Sequence, residues 1–110
     1  MNDRAAGIKP VIVVLPAEID VTNSDGVYQQ LLAALTPGVG TVIADMTSTS
    51  FCDSSGVHAI MRAHELATTQ DTVLRLAVSP AGSVRRVLQL TGAVLVMPVH
   101  SSVAEAMDPA

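Results

Sequence analysis

Aromatic side chains are almost missing from this chain. Tyr28 and Phe51 are the whole complement, 2% of the sequence, with no tryptophan. A stacking platform for single-stranded nucleic acid needs several aromatic faces, so that class of binding is excluded. Cysteine occurs once, at Cys52. One thiol makes no internal disulfide and no zinc site built on several thiolates. A reducing, cytoplasmic setting fits best. Cations are missing from much of the chain: no lysine or arginine stands between Pro10 and Met61. The same stretch carries Glu18, Asp20, Asp25, Asp45 and Asp53, and the formal net charge is −4. Such a surface repels nucleic-acid phosphates and favours a cationic protein surface, unless it is simply a solvated acidic face. Long hydrophobic runs are missing too. Residues Val11–Ala17 and Ala93–Val99 are each broken by a proline and fall far short of the roughly 20 residues that span a bilayer. Arg4 and Lys9 ahead of Val11–Leu15 faintly resemble a signal peptide, but the β-branched run followed by Glu18 and Asp20 reads better as a strand.

What remains is apolar and evenly punctuated. Of the 110 residues 49% are hydrophobic and 15% charged, which suits one domain with one core and excludes a disordered tail. Val11–Leu15 predicts a strand buried on both faces. Asn23, Ser24 and Asp25 offer N-caps to a helix carrying Val27, Leu31, Leu32 and Leu35, ended by Pro37-Gly38 and Gly40. Thr41–Ala44 predicts a second strand, and Asp45–Ser50 a polar loop. Asp53-Ser54-Ser55-Gly56 starts a helix with Val57, Ile60, Met61 and His64 at helical spacing. Thr72–Val78 predicts a third strand. Ser79-Pro80 predicts the start of a helix with Val84, Val87 and Leu88, stopped at Thr91-Gly92. Val94–Met97 predicts a fourth strand, and Ser101-Ser102 a short last helix through Met107. Strands alternating with helices imply an α/β fold with a mostly parallel sheet. The residues before Pro10 would add a weak edge strand, and a bare sheet edge invites pairing with another chain, so a homodimer stays open.

Little of this supports catalysis. Gly38-Val39-Gly40 lacks the third glycine of a phosphate loop. His58 and His64 are six apart on different helical faces, so neither a metal nor a cofactor is expected. Ser55 or Cys52 could meet His58, but no strained elbow surrounds the serine and no third group orients the histidine. The Asp53–Gly56 segment has a bland explanation, that Asp and Ser merely cap a helix. Its functional explanation uses the same geometry. A serine at a helix start is exposed beside free N–H groups. Phosphorylation there would add about −1.5 to −2 charges next to Asp53 and repel an acidic or apolar contact.

Four segments resemble the STAS domain family, which includes anti-sigma factor antagonists and the tails of sulfate transporters. Leu15-Pro16-Ala17-Glu18-Ile19-Asp20 is similar to its L-x-G-E-L-D. Val42–Met46 followed by Phe51-Cys52-Asp53-Ser54-Ser55-Gly56-Val57 is similar to its D-S-S-G strand and helix. Ser79-Pro80 with Val84–Leu88 and Leu90-Thr91-Gly92 is similar to S-P-x-V-x-R-x-L-x-x-(S/T)-G, and Ser101–Met107 to the last helix. The resemblance covers about residues 10–107 and implies the STAS fold, a four- to five-stranded mostly parallel sheet with helices mainly on one face. It also implies partner switching. The unmodified antagonist would bind an anti-sigma factor of the serine-kinase type and free a sigma factor. Phosphorylation of Ser55, or of Ser54, would end that binding, and a PP2C-type phosphatase would reset it. Asp20, Asp53, Gly56, Val57 and His58 would lie at the partner surface. The chain departs from the family at Ala17, where glycine is usual, and at His58-Ala59, where a glycine is frequent. His58 would then alter kinase recognition or help bind the phosphate, or do neither. The other readings are a non-catalytic STAS subunit of a transporter or sensor complex, and an enzyme using Ser55 or Cys52.

Overall fold

Residues 9–108 are described by a computed structural model. In chain order the elements are β1 (Val11–Val14), β2 (Glu18–Ile19), α1 (Ser24–Ala34), β3 (Thr41–Met46), β4 (Phe51–Cys52), α2 (Ser54–Thr69), β5 (Val73–Val78), α3 (Val84–Leu90), a 3₁₀ turn (Ala93–Leu95), β6 (Val99–His100) and α4 (Val103–Met107). Four strands form a parallel sheet in the order β1-β3-β5-β6. The expected edge strand before Pro10 lies outside the described residues.

Side-chain alternation along the strands divides the molecule. Val13, Val42, Ala44, Met46, Leu74, Leu76 and Val78 share one face and are buried under α1, α2 and α3. Helix α1 contributes Val27, Leu31 and Leu35 to that core. Helix α2 contributes Val57, Ile60, Ala63 and Ala67, and α3 contributes Val84 and Leu88. The other face is thinner. There Ile43 and Ala77 meet Ala106 and Val103 of α4, and the Arg75 guanidinium donates to the Ala106 carbonyl at 2.9 Å, satisfying the end of that short helix. Helices therefore lie mainly on one face, as the family resemblance implies.

Four expectations need correction. Strand β1 is not buried on both faces: Ile12 is 41% and Val14 60% exposed. They point to the thin side, and α4 packs only over β3, β5 and β6. Residues Val94–Met97 are not a strand. Gly92, at φ 83°, turns the chain so that Ala93 and Met97 enter the core while Leu95 and Val96 face water. The strand waits until after Pro98, whose carbonyl accepts the Leu76 N–H. Ser79-Pro80 does not start α3. Gly82 takes φ 94°, which no right-handed helix permits, and α3 begins only at Val84. Finally, β2 and β4 pair in parallel as a separate two-stranded ladder, with Glu18 opposite Phe51 and Ile19 opposite Cys52. No strand was expected at either segment.

That ladder seats α2. A Cβ on Gly56 would stand 2.6 Å from Ile19 Cγ2 and 2.7 Å from Cys52 Sγ, closer than any real contact. Nothing lies within 4 Å of the corresponding point on Gly26 in α1. Alanine is favoured over glycine in helices by roughly 0.5–1 kcal/mol, but overpacking costs about 1–3 kcal/mol. Gly26→Ala should therefore raise the thermal unfolding midpoint, and Gly56→Ala should lower it. Equal shifts of the same sign in the two variants would disprove this account of the helix seat.

Candidate functional site

Strand β4 runs straight into α2 through Asp53. Its backbone is still extended, φ −96° and ψ −174°, and its N–H donates to the Ile19 carbonyl at 3.1 Å, continuing the ladder. Its side chain then caps the helix. Oδ1 accepts the Ser55 N–H at 2.9 Å and the Gly56 N–H at 3.3 Å, and the Ser55 hydroxyl donates to the same oxygen. The Asp53 carboxyl consequently titrates below the ordinary aspartate range. The Ser55 hydroxyl bond is the main cause; partial desolvation opposes it, and the Gly56 and Ser55 N–H bonds reinforce it.

The same device occurs twice more at this end of the molecule. Asp20 Oδ1 accepts the Thr22 N–H at 2.9 Å and its hydroxyl. Asp45 Oδ1 accepts the Thr47 N–H at 2.9 Å and its hydroxyl at 2.6 Å. Each Asp-x-Ser/Thr turn closes a strand end. Only the Asp53 turn also opens a helix. Because Ile19 pairs with Cys52, Asp20 and Asp53 leave the ladder side by side, as neighbours on the surface.

The expected site residues divide by burial. Ser54 and His58 are exposed, and Ser55, Asp20 and Asp53 are half-buried. Val57 is 0% exposed and belongs to the core, because it points under the helix toward the sheet. It offers no surface to a partner, which corrects its expected contact role. Gly56 is also buried. Its lack of a side chain serves packing on Ile19 and Cys52, not the approach of a partner's backbone. Ser55 donates to Asp53, and no hydrogen bond joins it to His58 among the described residues. Burial pushes the Cys52 thiol up to about 11, with the Asp53 charge adding to the effect. Near neutral pH it is thiol, not the thiolate that nucleophilic chemistry needs.

Two contact candidates escaped the sequence reading. Phe51 is 48% and Val21 75% exposed, beside the acidic Glu18, Asp20 and Asp53. In the β2–β4 ladder Ile19 and Cys52 point inward, so their neighbours Glu18 and Phe51 point out. Alternation would have revealed this, but two residues are too few to display a period. A shallow cavity of about 170 Å³ lies between the first turns of α1 and α2, lined by Ser24, Asp25, Ser55, His58, Ala59 and Arg62. The Arg62 guanidinium sits 4.1 Å from the centroid of the Tyr28 ring. Among the described residues no cluster of ligating side chains could hold a metal. No helix there is long and apolar enough to cross a membrane.

A folded carboxyl with a depressed pKa stabilises the protein above its unfolded value, here about 3.9, and that stability is lost as pH falls through the lower folded value. Asp53→Ala should therefore melt below the native chain at pH 7, and the two midpoints should converge as pH approaches roughly 2. Calorimetry across that range checks it; a gap independent of pH would show that the cap is not electrostatic.

The fold has counterparts among known proteins. The crystal structure of TM1081 from Thermotoga maritima superposes with a TM-score of 0.75 at 20% identity, covering 89% of this chain and 86% of that one. An anti-sigma-factor antagonist (STAS) domain protein from Planctomyces limnophilus gives 0.73 at 24% identity, over 87% and 85%. The anti-sigma factor antagonist SpoIIAA in its unphosphorylated form gives 0.63 at 30% identity, over 92% and 87%. No curated protein sequence matches the chain. The STAS domain profile matches residues 3–106, and with the parallel sheet and its capped Asp53-Ser54-Ser55-Gly56 turn in place, this chain belongs to the STAS domain family.

Proposed function

We propose that this protein is an anti-sigma factor antagonist, switched by phosphorylation at the start of α2. The observation that carries the proposal is the setting of Ser55. Its hydroxyl is held by Asp53 on the first turn of α2, at the rim of a surface that combines exposed Phe51 and Val21 with four carboxylates: Glu18, Asp20, Asp25 and Asp53. Apolar area supplies affinity when buried, and the carboxylates select a cationic partner. An anti-sigma factor would dock here in the unmodified state and release its sigma factor.

The anti-sigma factor also serves as the kinase in this proposal. The γ-phosphoryl group of ATP passes to Ser55 Oγ, ADP leaves, and the hydroxyl proton departs along the bond already made to Asp53. Ser55 is favoured over the exposed Ser54 because only Ser55 has its hydroxyl oriented by a carboxylate. The product places a dianion against Asp53. A partner packing apolar surface on Phe51 and Val21 would have to desolvate that dianion at a cost of several kcal/mol, and about 3 kcal/mol left uncompensated is roughly 100-fold in affinity. A PP2C-type phosphatase would hydrolyse the phosphoester and restore docking.

Binding to the anti-sigma factor, measured by calorimetry, should weaken at least about 100-fold in the Ser55 phosphoprotein. Ser55→Asp should lose part of that affinity, and Ser55→Ala should bind but resist modification. Phe51→Ala should weaken docking roughly tenfold or more without changing the thermal midpoint. If the Ser55 phosphoprotein binds as tightly as the unmodified chain, the switch is refuted. A passive STAS subunit of a transporter or sensor complex then becomes the better description.

A further inference from the structure

We propose that His58 and Arg62 form a receiving site, within the same chain, for the phosphate on Ser55. The inference rests on Ser55 being the modified residue.

Ser55, His58 and Arg62 stand at i, i+3 and i+7 on one face of α2 and line one cavity. Two helical turns separate the outer pair by about 10.5 Å along the axis. Helical side chains lean toward the N-terminus, so an extended Arg62 side chain can pass over His58 toward Ser55. A phosphoserine and an extended arginine together span that interval. Ser54 does not line the cavity and faces water.

Charge makes the pair necessary. Asp25 reaches the cavity from α1, and Asp53, the N-cap of α2, already bonds Ser55. A dianion added between them meets two carboxylates, while Tyr28 on α1 brings only a neutral ring. Arg62 is the first cation of the sequence after Lys9. No described carboxylate lies within ion-pair distance of it. Its guanidinium rests on Tyr28, a contact that leaves the N–H donors at the edge of the plane available. On phosphorylation Arg62 leaves Tyr28 and donates to the phosphate, with His58 as the second donor. The modified form is then a closed arrangement, with its phosphate turned into the α1–α2 cleft.

The test needs no kinase. Phosphoserine is incorporated genetically at position 55, and separately at position 54, in the full chain. Phosphorus NMR then follows the second ionisation of each phosphate, and proton NMR follows Tyr28, the one tyrosine of the sequence. A nearby cation favours the dianion. The phosphate at 55 should therefore ionise about half a pH unit or more below the one at 54. Arg62→Gln should remove most of that difference and His58→Asn part of it. The Tyr28 ring signals should move on modification at 55 in the native background, and stay fixed in Arg62→Gln. A difference between 55 and 54 that survives both substitutions would assign it to the helix N-terminus and overturn the inference. Equal ionisation at 55 and 54 would overturn it as well. Failure of the switch itself is a separate result, because it is read from partner binding and not from these titrations.

Discussion

The proposed partner face depends on Asp53 belonging to two elements at once. Its N–H closes the short β2–β4 ladder on Ile19, and its carboxylate caps α2 by accepting the N–H groups two and three residues on. Ladder and helix are thereby locked at one residue. The close seat of Gly56 on Ile19 and Cys52 fixes the angle between them. Phe51, Asp53 and Ser55 all take their positions from this junction. A surface held by backbone bonds and a buried glycine loses little freedom when a partner docks, which leaves more of the contact energy to appear as affinity.

The same junction explains how so many carboxylates share one end of a small molecule. Like charges brought together oppose folding. Here Asp20, Asp45 and Asp53 each accept an N–H and a hydroxyl from the residue two places on. Those bonds give each carboxylate donors from its own turn, without a cation, and at Asp53 they favour the ionised form. The first half of the chain can therefore be acidic and free of lysine and arginine and still fold. Among the described residues no salt bridge occupies these carboxylates, which leaves them available to an outside cation.

Elements with a long period were legible in the sequence. The helical spacing of Val27 and Leu31, that of Val57, Ile60, Met61 and His64, and the runs Thr41–Ala44 and Thr72–Val78 all became elements of the predicted kind, though the first of these runs extends to Met46, two residues into the expected loop. Elements set by one backbone angle were not. Gly82 and Gly92 at positive φ displaced a helix start and a strand, and a glycine in the sequence does not announce the sign of its φ. Val94–Met97 is β-branched and apolar, yet only Ala93 and Met97 reach the core, because the turn at Gly92 decided which side chains face inward. At the site, Asp53 and the two serines were legible as a capping pattern. Phe51 and Val21 were not, since their exposure follows from a two-residue ladder between segments 33 positions apart. Val57 was assigned to contact by its neighbourhood in sequence, and one step around a helix placed it in the core.

The proposed switch works by contrast, and contrast is largest where compensating charge is scarce. Had lysines been scattered through the acidic half, a phosphate would find a counter-ion in nearly any orientation, and its repulsion of a partner would be blunted. With Arg62 and His58 the nearby donors on the helix that carries Ser55, the orientation of the phosphate becomes specific. The phosphate need only be turned toward them to pull it off the solvent-facing rim. Even then the groove gains more negative charge than one arginine can offset, because Asp25 and Asp53 stay where they are. Modification thus changes both the charge of the partner face and the position of that charge. The hydroxyl bond to Asp53 is lost with its proton, but the Ser55 N–H still donates to Asp53, so both changes arise without rearranging the fold.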